Sequence, residues 1–125
     1  MNLLIKGKKA SRVLILFTAS LLFSIQALAH TGLKESTPAD ESVVSVAPAK
    51  IDLVFTGPVR LIKLDLMKAE QEIATGFEAS TESKAAYSIA TPGLQSGVYT
   101  VNWAVIGADG HTVANSYSFE VKPGS

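Results

Sequence analysis

The chain holds two histidines, His30 and His111, and both stand where chemistry could use them. His30 directly follows Ala27-Leu28-Ala29, small residues of the kind behind which a signal peptidase cuts. Cleavage there would make His30 the first residue of an exported chain, offering a metal its free α-amine as well as its imidazole. His111 closes the triplet Asp109-Gly110-His111. In an extended segment, side chains two residues apart emerge on one side, roughly 6–7 Å apart at their Cα atoms. A carboxylate and an imidazole so placed can grip one ion from neighbouring positions. Asp-Gly is equally a hairpin-turn signal, and a terminal histidine can simply be disordered, so each motif alone leaves both readings open. Together they supply an α-amine, two imidazoles and a carboxylate. Three nitrogens and one oxygen favour Cu(II), which takes tetragonal N and O donors and heads the Irving–Williams order. Zinc would ordinarily want a tetrahedral arrangement.

Residues 1–29 read as a cleaved secretory signal. Lys6, Lys8, Lys9 and Arg12 form its basic start, Val13 to Ile25 its apolar run, and Ala27-Leu28-Ala29 its cleavage site. An apolar run of about 13 residues is short of the roughly 20 that span a bilayer. No cysteine stands at the cut, which argues against a lipid anchor. Residues 30–125 then form one small exported domain.

Removing the signal changes the charge balance. Four of the 11 basic residues leave with it, so seven remain against 11 acidic ones, a net charge of −4. A mildly acidic domain without clustered Lys and Arg is a poor partner for a phosphate backbone, and nucleic acid is set aside. The absence of cysteine excludes disulfides, thiolate metal sites and cysteine nucleophiles.

The elements that must position the histidines read as short strands. Ile51, Leu53 and Phe55 alternate on one face, and Thr56-Gly57-Pro58 is expected to end that strand. From Leu61 to Met67, Ile62, Leu64 and Leu66 are expected inward, with Lys63 and Asp65 outward. The Glu-, Ser- and Thr-rich segment 69–86 suggests a weak edge strand and a solvated loop, anchored by Ile73 and Phe77. Tyr87 and Ile89 mark another short strand. In the strongest run, Val98 to Ile106, the residues Tyr99, Val101, Trp103 and Val105 share the core face. A partner run carries Val113, Tyr117, Phe119 and Val121, making a hairpin whose connection bears Asp109 and His111. Ser36 to Pro48 reads as an N-terminal strand tied into the sheet. Six to eight such strands without helices predict an all-β Greek-key sandwich or barrel.

With these residues in view, the chain resembles the CopC-type periplasmic copper-resistance proteins, including their YobA-like members. The resemblance rests on His30, Ser36-Thr37-Pro38-Ala39-Asp40, Pro48 and the run Ile51 to Val59. Its C-terminal block is Leu94, Gly97-Val98-Tyr99-Thr100-Val101, Trp103, Val105, Asp109-Gly110-His111 and Phe119-Glu120-Val121. It implies a cupredoxin-like or immunoglobulin-like Greek-key fold. It also implies a Cu(II) site in which His30 gives its amine and imidazole, Asp109 its carboxylate and His111 its imidazole. Members that also hold Cu(I) use a methionine-rich segment, whereas Met67 is the one methionine left here after cleavage, which implies a Cu(II)-only member. Three positions depart from the family pattern: Gly32 in place of a second histidine, Glu41 in place of a glycine, and Asn115 in place of another glycine.

The expected function is that of a monomeric, periplasmic, non-enzymatic Cu(II)-binding protein. It would sequester copper or carry it to an inner-membrane CopD-like transporter. Two other readings compete. A terminal histidine with a second histidine resembles the histidine brace of copper monooxygenases, although Asp109 would fill a position that oxygen chemistry needs open. The fold alone would also suit a metal-free immunoglobulin-like interaction module.

Overall fold

A computed structural model describes residues 32–124. Seven strands run in the order β1 (Leu33–Thr37), β2 (Ser42–Val44), β3 (Lys50–Lys68), β4 (Gln71–Ile73), β5 (Lys84–Ala90), β6 (Gly97–Ile106) and β7 (Thr112–Val121). No helix occurs among the described residues. β3 belongs to two sheets. Its first half pairs antiparallel with β1 and β5, and its second half with β4 and β6. β7 pairs with β6, and β2 adds to β7 in parallel at the sheet edge.

The core lies between the two sheets and is apolar throughout, with no buried polar or charged residue among those described apart from tyrosine hydroxyls. Ile51, Leu53 and Phe55 face Leu64, Leu66, Tyr99, Val101, Trp103, Val105 and Phe119, every one at most 4 % exposed. The alternation read along β6 and β7 is therefore the alternation observed. Phe55 meets Trp103 edge-on at 5.3 Å across the sheets, and Tyr99 stacks on Phe119 at 5.5 Å. Such aromatic pairs add about 0.5–1.5 kcal/mol each beyond the area they bury. The Tyr117 hydroxyl is buried without a hydrogen-bond partner among the described residues. Burial pushes its pKa up to about 12, partly offset by Ser36 and raised further by Asp40 and Asp52.

Three expectations are corrected. Thr56-Gly57-Pro58 does not end a strand: β3 runs through it for 19 residues. Its register with β5 jumps between Val54 and Val59, so the glycine and proline mark a bend at which the strand passes from one sheet to the other. Ile62 does not share the face of Leu64 and Leu66. A register shift between Leu61 and Lys63 inserts it as an extra residue, which returns Leu61 to the core at 0 % exposure. Ser36 to Pro48 is not one strand but the end of β1, a turn and β2, and the two strands lie in different sheets.

That turn docks on β7. Glu41 N–H donates to Ser118 C=O at 2.6 Å, and Asp40 Oδ1 accepts Ser118 N–H at 3.1 Å. Glu41 has φ 62, so the backbone keeps the left-handed conformation that the family's glycine suits while carrying a side chain. Asn115, by contrast, sits in the regular ladder opposite Trp103 and needs no such conformation.

Tyr87 fastens the bend of β3. Its hydroxyl donates to Val59 C=O at 2.6 Å and accepts Leu61 N–H at 3.3 Å, pairing backbone groups just after the bend, where Val59 still pairs with β5 and Leu61 already pairs with β6. Its ring meets Phe55 edge-on at 6.2 Å. Tyr87→Phe keeps the ring and strips two backbone groups of their partner, which costs about 1–3 kcal/mol. A drop in thermal midpoint of at least about 4 °C checks this, on the scale for a domain of this size. An unchanged midpoint would mean that the bend needs no such fastening.

Candidate metal site

β6 and β7 pair without interruption from Gly97 opposite Val121 to Ile106 opposite Thr112, and residues 107–111 join them. Gly107 N–H donates to His111 C=O at 3.0 Å, closing the last rung. Gly110 N–H donates to Gly107 C=O at 3.0 Å, making a four-residue turn, and Gly110 follows it at φ 86. This is a three-residue hairpin loop ended by a left-handed glycine bulge. The glycine of Asp-Gly-His is thus the backbone hinge, and the residues on either side of it are held at the hairpin tip.

Asp109 uses both carboxylate oxygens. Oδ1 accepts His111 N–H at 3.0 Å, and Oδ2 lies 3.3 Å from His111 Nδ1. The two side chains are 60 % and 84 % exposed respectively. The His111 backbone N–H chiefly holds the Asp109 carboxyl below the usual carboxylate range, against the opposing effect of desolvation and with help from the imidazole. Asp109 therefore stays an anion through mildly acid conditions. Two donors each about 2.0–2.2 Å from one ion are about 3 Å apart when they occupy neighbouring positions. The carboxylate and imidazole stand at that spacing without rearrangement of the loop.

The structure brings Asp109 and His111 together, while His30 lies outside the described residues. Among the described residues, no three His, Cys, Asp or Glu side chains converge on a metal. The described chain begins at the relevant end of the sandwich, however. Gly32 C=O accepts Thr56 N–H at 3.2 Å, Leu33 pairs with Phe55, and a few residues along β3 Arg60 pairs with Ile106. The start of β1 and the 107–111 loop thus flank the same bend. Trp103, three residues before Ile106 on β6, is 4 % exposed and belongs to the core.

A model of the CopC domain matches residues 33–122. The chain belongs to the CopC family. It is 36 % identical over 118 residues to Copper resistance protein C of Pseudomonas syringae pv. tomato, covering 86 % of this chain and 92 % of that protein. It is 31 % identical over the same length to Copper resistance protein C of Xanthomonas campestris pv. juglandis, with the same coverage. Among solved structures, CopC from Methylosinus trichosporium OB3b superposes with a TM-score of 0.66 at 24 % identity, covering 77 % of this chain and 97 % of that one. PcoC from Escherichia coli, described as a methionine-rich copper resistance protein, gives 0.61 at 27 % identity, covering 74 % and 99 %. The all-β Greek-key sandwich of this CopC-type copper resistance protein agrees with both. The methionine-rich character of PcoC is not shared, since this sequence contains Met1 and Met67 only.

The carboxylate's hold on His111 is open to test without metal. Asp109→Ala removes the acceptor of His111 N–H, whereas Asp109→Asn can keep an acceptor oxygen there while losing the charge and exchanging the other oxygen for an amide nitrogen. Losing one exposed hydrogen bond of about 0.5–1.5 kcal/mol speeds exchange of the His111 amide about 3- to 10-fold. Amide exchange by NMR should show that acceleration in Asp109→Ala and little of it in Asp109→Asn. Equal protection in all three proteins would show that the contact does not order the loop.

Proposed function

We propose that this domain, cut behind Ala29 on export to the periplasm, binds Cu(II) through the α-amine and imidazole of His30, the carboxylate of Asp109 and the imidazole of His111. It holds copper as cargo, sequestering it or handing it as a monomer to a CopD-like transporter in the inner membrane. The observation that carries this reading is the 3.3 Å approach of Asp109 Oδ2 and His111 Nδ1 at an exposed hairpin tip, beside the bend to which Gly32 is bonded. Thr31 alone separates Gly32 from His30, and two residues span about 7 Å. Membership of the CopC family and the names of its relatives support copper as the metal.

The donor set argues for the oxidised ion. It contains no thioether or thiolate, and nitrogen with carboxylate oxygen suits Cu(II) better than Cu(I). An exposed site with a carboxylate among its ligands also suits a carrier more than a catalyst, because oxygen chemistry needs an open position that Asp109 would fill.

Copper titration of the processed protein, followed by EPR and by the fluorescence of Trp103, the single tryptophan, tests the proposal. His111→Ala should weaken Cu(II) binding at least 100-fold and abolish the native EPR spectrum. A version with one extra residue ahead of His30 should give a different spectrum, and identical spectra would remove the α-amine from the site. Acidification acts through the nitrogen donors: α-amines ordinarily titrate near 7.7–8.0 and imidazoles near 6.5, and both must lose their protons to bind. Asp109, held below its usual range, remains charged across that interval. Affinity should therefore fall steadily from about pH 8 to about pH 5, and a flat profile would contradict these ligands.

A further inference from the structure

Gly107 has no backbone reason to be glycine. Among the described glycines, left-handed φ values occur at Gly97, Gly110 and Gly124, and Gly107 is not one of them. Its N–H and C=O are both committed, to His111 C=O and Gly110 N–H, in bonds that any L-residue could make. What distinguishes the position is the space above its Cα. A Cβ built there would stand 3.2 Å from Asp109 Oδ1 and 4.0 Å from His111 O, whereas at Gly32, Gly57 and Gly93 it would meet nothing within 4 Å. The room that a side chain would take at 107 is occupied by the carboxylate oxygen that receives His111 N–H at 3.0 Å.

We infer that Gly107 is a positioning residue for the metal site: its missing side chain is the slot that holds the Asp109 carboxylate over the His111 amide and leaves Oδ2 facing the imidazole. This deepens the proposed Cu(II) site and rests on it. A methyl group at 107 must push Oδ1 away by a few tenths of an ångström. Because Oδ1 and Oδ2 are fixed in one planar group, the displacement passes to the oxygen 3.3 Å from Nδ1. The effect acts first through Asp109, because the other atom a methyl group would meet, His111 O, lies at the ordinary contact distance of 4.0 Å. The wider packing of the domain is not involved, since the tip is exposed and the core residues nearest it on β6 lie below Ile106.

The experiment is a double-substitution cycle on the processed protein with Cu(II) alone as the probe, with Gly93→Ala as a matched glycine substitution in open space. Gly107→Ala is expected to lower Cu(II) affinity about 3- to 10-fold, to change the EPR spectrum, and to speed His111 amide exchange in the metal-free protein. Its thermal midpoint should stay within that of Gly93→Ala. In an Asp109→Asn background the same substitution should change affinity less than twofold, because two substitutions acting through one group do not add. Unchanged affinity and unchanged amide exchange in Gly107→Ala overturn the inference. So does an equal loss in both backgrounds, or a loss accompanied by a fall in thermal midpoint larger than that of Gly93→Ala. If the wild type binds no Cu(II), or Asp109→Asn binds as tightly as wild type, it is the proposed site that fails. The metal-free amide exchange still decides whether Gly107 holds the carboxylate.

Discussion

The domain depends on one strand being able to belong to two sheets. β3 carries 19 residues, pairs with β1 and β5 over its first half and with β4 and β6 over its second, and bends where Thr56, Gly57 and Pro58 interrupt regular pairing. A bend in a strand exposes backbone groups that would otherwise pair, and buried ones are costly to leave unmet. Tyr87 meets two of them from β5, Val59 C=O and Leu61 N–H, just beyond Pro58. Its ring at the same time joins Phe55 and, through Phe55, Trp103, so the polar fastening of the bend and the apolar closure of the core share residues. The two sheets are thereby locked face to face by the element that connects them.

The same bend is what brings distant parts of the sequence to one end. β1 begins beside Thr56 and Phe55, and β6 ends beside Arg60, so the first described residues and the strand leading to the hairpin tip 75 or more positions later both pair with β3 on either side of its bend. The functional groups are then kept out of the core. Apart from tyrosine hydroxyls, no polar or charged side chain among the described residues is buried in the interior, and Asp109 and His111 stand on a loop that water reaches freely. The division has a physical rationale. A charged ion taken into an apolar interior would need its whole solvation replaced, whereas at an exposed tip the ion can arrive and leave without opening the core. A site that carries copper as proposed would benefit from that arrangement where a catalytic or purely structural metal site would not.

Much of this was legible in the sequence, and what was not has identifiable causes. The alternation in β6 and β7 is clear over residues 99–103 and 117–121, where one face is buried and the other is not, and a period of two survives where the ladder is regular. It failed at β3. There the residues that read as a strand end are those that allow a bend, and a single inserted residue at Ile62 reverses the phase of everything after it. Local composition cannot distinguish a chain that stops from a chain that continues into a second sheet. The division of 36–48 into two strands was hidden for a similar reason: the turn at Asp40 and Glu41 is held by bonds to Ser118, far away in sequence. Of the proposed site, Asp109 and His111 stand out in the sequence by residue type and spacing, and the structure sets them in contact. Gly107 does not stand out, because the role proposed for it lies in the space left above its Cα, and a sequence records which side chains are present rather than which volumes must stay empty.

The triplet Asp-Gly-His consequently carries two kinds of information that are usually treated as alternatives. Read as a turn, it is fully satisfied: Gly110 adopts the left-handed conformation, and Asp109 caps the turn by accepting the amide two residues on. Read as the proposed ligand pair, it sets the second carboxylate oxygen 3.3 Å from an imidazole nitrogen. The first reading supports the second. A carboxylate already bonded to the backbone has fewer orientations to lose when an ion arrives, so less of the binding energy goes into ordering it. The same backbone bond lowers its proton affinity and keeps it anionic. The hairpin's own turn chemistry thus prepares one donor and aims it at the other.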